Sequence, residues 1–291
     1  MKRKTIAFLV WLVVLSIIVS AVGISINAVA PKGGNGKKDN GNGNVKNNYL
    51  IVESSASGVS DGAVRLRSSN GKILWEMTGL TTPCDAEMLD NGNIVIAETY
   101  YPRVIVVDPT DNSYITISTR QIYGITVLEN GYLLAGPGGV QEVTSTGAEV
   151  WFYSLFFPYD AIKLPDNTYV ITDFNANVVM QVDINKNIIK TYTGCYGISF
   201  SSPADIDLLS NGNYLISDYD NQRTIELNPN GAPEWQCSAD GPNHDSDRLP
   251  NGNTLITDAW NDRVYEVDYY GKRVSQLKRI QFPNNIDILP A

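Results

Sequence analysis

The single histidine of this 291-residue chain, His244, stands in "HDSDRLPNGNTLITD", a phrase that recurs along the sequence without it. Imidazole is the side chain best suited to relay a proton or attack an electrophile near neutral pH. Any such role falls here to His244, with Asp245, Asp247 or a carboxylate from another repeat to orient it. One histidine excludes a multi-histidine metal centre, and Cys84, Cys195 and Cys237 match no zinc-ligand spacing. P-loop, dinucleotide and nucleophile-elbow signatures are absent, so neither a metal nor a cofactor is expected. In an oxidising compartment a Cys195 to Cys237 disulfide is open to the chain, which leaves an odd thiol.

The elements that must hold His244 follow from a repeat. Leu89, Leu128, Leu164, Leu209, Leu249 and Leu289 each lead into a polar turn and a hydrophobic strand, at separations of 39, 36, 45, 40 and 40 residues. That period is one four-stranded propeller blade. Asn-Gly between short apolar runs marks the hairpins, because both residues tolerate the positive φ of a tight turn. The final "NNIDILPA" matches only the first strand of a repeat and "NYLIVESS" only the second. The two ends therefore pair to complete one split blade, which removes an open sheet edge. The expected fold is all-β: a six-bladed propeller of four-stranded antiparallel blades over residues 49–291.

Alignment on the leucines places the chemistry. Five residues upstream stand Cys84, Tyr123, Tyr159, Ala204, His244 and Asn284, a variable column at the mouth of the inner strands. The next column is Asp85, Gly124, Asp160, Asp205, Asp245 and Asn285. A position this constant reads as hydrogen bonding in turns or between blades, with cation binding in the tunnel as the alternative. A third column, Glu53, Glu98, Asp173, Asp218 and Asp258, is followed by Arg103, Arg223 and Arg263 in three repeats and reads as structural ion pairs. Candidate ligand-binding residues are thus Cys84, Tyr123, Tyr159, Asp245 and Asn284, with Trp260 added as an aromatic in a turn of the His244 repeat. Trp75, Trp151 and Trp235 recur in fourth strands and read as packing. The run Gly136-Pro137-Gly138-Gly139 replaces the acidic turn in one repeat, either as a bare surface for a ligand or as a local turn variant.

Residues 1–30 place Lys2, Arg3 and Lys4 before an apolar run, which reads as a signal peptide or a transmembrane anchor. Residues 31–48, rich in Gly and Asn, read as a flexible linker. The first segment carries three positive charges and the linker a net three more, so the formal −9 of the chain becomes about −15 on residues 49–291. That excludes nucleic acid as a partner, since neutralising phosphates needs clustered Lys and Arg. The expected location is extracytoplasmic, secreted or anchored, with membrane contact through the N-terminal segment alone.

The phrase "HDSDRLPNGNTLITD", with the endings "GKILWEM", "GAEVWFYS" and "APEWQC", resembles the repeat of arylsulfotransferase-type propellers. Asp218-Asn221-Arg223 and Asp258-Asn261-Arg263 also resemble the turn of NHL-repeat propellers. In the former family a central histidine accepts a sulfuryl group, and His244 is the residue to which that role carries over. Two readings follow. The leading one is a binding module for a protein, glycan or small-molecule ligand; the alternative is an arylsulfotransferase-like transferase, or a lyase, using His244 at the tunnel mouth.

Overall fold

The computed structural model describes residues 25–28, 47–54, 61–277 and 279–289. Most of the segment read as an export signal and of the linker lies outside these residues. The described chain is an all-β propeller of six four-stranded antiparallel blades. Blade 1 comprises Pro83–Met88, Ile94–Glu98, Arg103–Val107 and Tyr114–Ser118; blade 2 Gly124–Leu128, Gly131–Gly136, Gly139–Thr144 and Glu149–Tyr153. Blade 3 comprises Pro158–Lys163, Tyr169–Asp173, Val178–Val182 and Ile188–Tyr192; blade 4 Pro203–Leu208, Tyr214–Asp218, Arg223–Leu227 and Pro233–Ser238. Blade 5 comprises Ser246–Arg248, Thr254–Asp258, Arg263–Val267 and Arg273–Leu277. In the split blade, Pro283–Leu289 is the inner strand beside Asn48–Glu53, followed by Gly62–Arg67 and Ile73–Leu80. A short strand, Ser25–Ala28, adds to the outer edge of that blade.

Ring closure has the register expected from the chain ends: Tyr49 faces Ile288 and Ile51 faces Ile286. The Asn-Gly turns form as tight hairpins, with Gly92, Gly212 and Gly252 at φ of 86°, 82° and 87°. The amide of each glycine donates to the carbonyl of the marker leucine, Leu89, Leu209 or Leu249. The hydrophobic core lies between blades. One cluster joins Leu50, Val52, Val64 and Met77 of the split blade to Ala86, Ile94, Ile96 and Ile105 of blade 1. Second strands are buried along their whole length in all five continuous blades, as a strand sandwiched on both faces requires. Their apolar residues therefore run together instead of alternating.

The recurrent tryptophans fasten one blade to the next. Trp75, Trp151 and Trp235 are buried, and their indole N–H groups donate to Asn112 Oδ1, Ile184 O and Tyr269 O at 2.9, 2.9 and 2.7 Å. The charged column also forms pairs. Arg103 reaches Glu98 at 2.5 Å, Arg223 reaches Asp218 at 2.7 Å, and Arg263 reaches Asp258 at 2.6 Å. Glu53 lacks the following arginine and pairs with Arg65 and Arg67 of the adjacent strand instead. At Gly136 and Gly139 the backbone packs too closely for side chains, a Cβ lying 2.2 Å from Gln121 O and 2.3 Å from Tyr153 O, whereas Gly138 between them faces open space. Gly136 pairs with Gly139 across the tight turn that joins the second and third strands of blade 2. The disulfide left open by the sequence does not form; Cys195 and Cys237 are buried free thiols, and Cys84 is also free.

Candidate functional site at the tunnel mouth

A β-bulge explains why one column varies and the next does not. Pro83 pairs with Glu98 but Asp85 with Ala97, so Cys84 is the extra residue. The same slip makes Tyr159, Ala204 and Asn284 the extra residues of blade 3, blade 4 and the split blade. A bulge re-aims the side chain it carries. Here it turns those four side chains into the tunnel mouth, where, together with Tyr123 and His244 just ahead of their inner strands, they line a space of only about 20 Å³. This is room for about one water molecule. The ring plugs the tunnel, so a ligand at this end rests on the plug.

Aromatic side chains extend the plug outward. Tyr123 stacks on Tyr159 at 5.2 Å between ring centroids, and Tyr159 stacks on Phe174 at 5.2 Å. Phe157 packs against Tyr123 and Phe174 and leads to Phe156, which is 80% exposed. Tyr219 packs against His244 at 4.6 Å and accepts a hydrogen bond from Trp260 Nε1 at 3.2 Å. Trp260, 59% exposed, lies outside the ring but belongs to the same continuous surface, and it also meets Phe282 edge-on. Phe174 and Tyr219 escaped the sequence reading. Each directly follows the strand-closing acid, Asp173 or Asp218, so a fourth aligned column would have found them.

His244 is held by neighbours other than the carboxylates expected to orient it. Its Nδ1 lies 3.1 Å from the hydroxyl of Tyr159. Asp245 instead accepts the amide of Ile286 at 2.5 Å, and Asp247 lines the tunnel below. Burial pushes the imidazole down to about 4, so it is neutral at neutral pH. Burial also drives the Tyr159 phenol well above its usual range, with Cys84 adding to the effect, and drives the Cys84 thiol up. General acid–base catalysis works best with groups that titrate near the operating pH. The mouth offers neutral rings, a protonated phenol and an unreactive thiol, a chemistry suited to apolar and hydrogen-bonded contact.

Below the plug, the Asp column forms a belt between blades. Asp85, Asp160 and Asp205 accept the amides of Ile125, Ile206 and Ser246 in the following blades at 2.7, 3.2 and 3.4 Å. Blade 2 departs from the pattern at Gly124, where a Cβ would come within 2.4 Å of Asp160 Oδ1. Two residues further along the inner strands, on the same face, stand Glu87, Thr126, Ile162, Asp207, Asp247 and Asp287. Glu87 and Asp287 bridge blades in the same way, to the amides of Val127 and Met88. These eight carboxyl groups line a chamber of about 210 Å³. Burial raises all of them, and neighbouring carboxylates reinforce the rise in most: Asp160 and Asp287 reach about 6, Asp245 about 7 and Glu87 about 8. Asp85, Asp205, Asp207 and Asp247 are pushed well above the carboxylate range.

No family model and no curated protein matches the chain. Solved structures do. A protein of unknown function from Bacteroides caccae superposes with a TM-score of 0.68 at 16% identity, over 84% of this chain and 100% of the other. A chain of a nidogen/laminin complex gives 0.67 at 11% identity, over 83% and 98%. Virginiamycin B lyase from Staphylococcus aureus gives 0.54 at 13% identity, over 68% and 70%. At these identities the likeness establishes the fold: the neighbours are β-propellers, and none of them singles out the arylsulfotransferase repeat.

Proposed function

We propose that this chain is an exported or membrane-tethered propeller that binds a ligand at the cell surface, on the aromatic face over the plugged tunnel mouth. The observation that carries this reading is the continuous run of aromatic side chains from exposed Phe156 through Phe157, Tyr123, Tyr159, Phe174 and Tyr219 to exposed Trp260, with His244 packed on Tyr219. Surface aromatics of this kind offer large, rigid contact area with polar tips, which suits a glycan ring, an aromatic group of a small molecule or a protein side chain. The apolar N-terminal segment supports the location, and the propeller scaffold is consistent with a binding module. The neutral imidazole speaks for contact over proton transfer.

Array binding of the purified chain to glycans and peptides tests the proposal. Truncating Trp260 or Phe156 to Ala is expected to weaken binding about tenfold, the loss of a contact worth roughly 1.4 kcal/mol. Binding that survives both truncations unchanged overturns the assignment of this face. Phenol release from an aryl sulfate, lost in His244→Ala, would replace binding with sulfuryl transfer.

A further inference from the structure

We infer that the central chamber beneath the plug is a binding site for a hydrated divalent cation, magnesium in preference to calcium. The chamber lies beneath the aromatic face and shares the belt of Asp85, Asp160, Asp205 and Asp245 with the plug above it. Eight carboxyl groups line the chamber, and no Lys, Arg or His side chain is among its described lining residues. The chain therefore supplies carboxyl oxygen from blades 1, 3, 4 and 5 and the split blade, with no cationic side chain of its own among it. Such sites are where an exogenous cation becomes the largest local charge.

Orphaned oxygens inside the chamber point the same way. Asp85 is 8% exposed, and while its Oδ2 accepts the amide of Ile125, its Oδ1 has no partner. Asn285 Oδ1 is likewise buried and unpartnered. Buried polar atoms in folded proteins are almost always satisfied, so these two oxygens beside one cavity call for a partner that enters from outside. A cation surrounded by water supplies both the positive charge and the donors.

The dimensions select the hydrated form. Even at the full liquid share of about 30 Å³ for each water, the chamber of about 210 Å³ holds at least about seven, enough for an ion with a full first shell. Among the described residues no three His, Cys, Asp or Glu side chains converge closely enough to ligate one ion directly. Calcium demands six to eight oxygen ligands, many of them from the protein, whereas magnesium gives up its waters reluctantly and is held through few or no direct carboxylates. The spread of these carboxyl groups around the ring fits contact through the water shell.

The test is calorimetric titration of MgCl2, and separately CaCl2, into the full chain purified in detergent and stripped with EDTA, at about pH 7.5 and matched ionic strength. Thermal unfolding is followed in parallel. One saturable magnesium site is expected, tighter than calcium, with a melting temperature that rises as it fills. The near-isosteric variants Asp85→Asn and Asp247→Asn, whose folding is checked by circular dichroism, are expected to weaken magnesium about tenfold each, or about 1.4 kcal/mol. Absence of saturable binding up to about 10 mM, beyond the range of weak extracellular sites, overturns the proposal. So does binding that both variants leave unchanged, since the ion then sits elsewhere.

Discussion

Raising the pH from about 6.5 to about 8, in the presence of a chelator, should destabilise the propeller. A carboxyl group raised in the folded state binds protons more tightly there than in the unfolded chain. Its stabilising contribution is complete below the unfolded value, 3.8 for Asp and 4.5 for Glu, and is lost as pH rises through the folded value. For Asp160 and Asp287 that loss centres on about 6, for Asp245 on about 7 and for Glu87 on about 8. His244 acts in the opposite sense. Its folded value of about 4 lies below the ordinary 6.5, so its contribution is complete above 6.5 and is lost as pH falls through 4. Above 6.5 the carboxyl groups dominate. Near pH 7 these four carboxyls alone hold between one and two protons that the unfolded chain has released, which by linkage is about 2 kcal/mol of lost stability per pH unit. Against a total of roughly 5–15 kcal/mol for a typical domain, such a slope is readily measured. Urea unfolding followed by tryptophan fluorescence at several pH values supplies it. An unfolding free energy that stays level or rises over this window would refute the picture of a buried carboxyl chamber.

Two further outcomes follow from the same geometry. Asp218→Ala leaves the buried guanidinium of Arg223 without its partner and removes the acceptor of the Ser201 amide, so a loss of about 3–5 kcal/mol is expected in urea unfolding. Titrating the imidazole of His244 by NMR should show it neutral until the pH nears 4; a midpoint near the ordinary 6.5 would show that the plug is open to water.

Much of the mouth was legible in the sequence because the propeller repeats its register. Aligning on the marker leucines brought Cys84, Tyr123, Tyr159, Ala204, His244 and Asn284 into one column, and the structure gathers them into one ring. The column varies because bulged side chains face the mouth, while the Asp beside it is nearly constant because it satisfies an amide of the next blade. Partners across blades were harder to see. Which ring His244 would meet depends on how blades 3, 4 and 5 splay around the axis, so Tyr159 and Tyr219 replaced the expected carboxylates. The second acidic rung, Glu87, Asp207, Asp247 and Asp287, stands two residues beyond the first on the same strands, and neither it nor its convergence was read from the sequence.

The sequence by itself determined the blade count, the splitting of one blade between the chain ends, the hairpin turns and the absence of a multi-histidine centre. All of these rest on local chemistry: turn residues with positive φ, apolar runs of strand length, and residue counts. Only the tertiary structure decided that the mouth is plugged, that Phe174, Tyr219 and Trp260 continue it as one aromatic face, and that eight carboxyl groups share a single chamber. Those features arise where separate blades meet at the axis. Proximity there is set by ring closure, and no spacing along the chain encodes it directly.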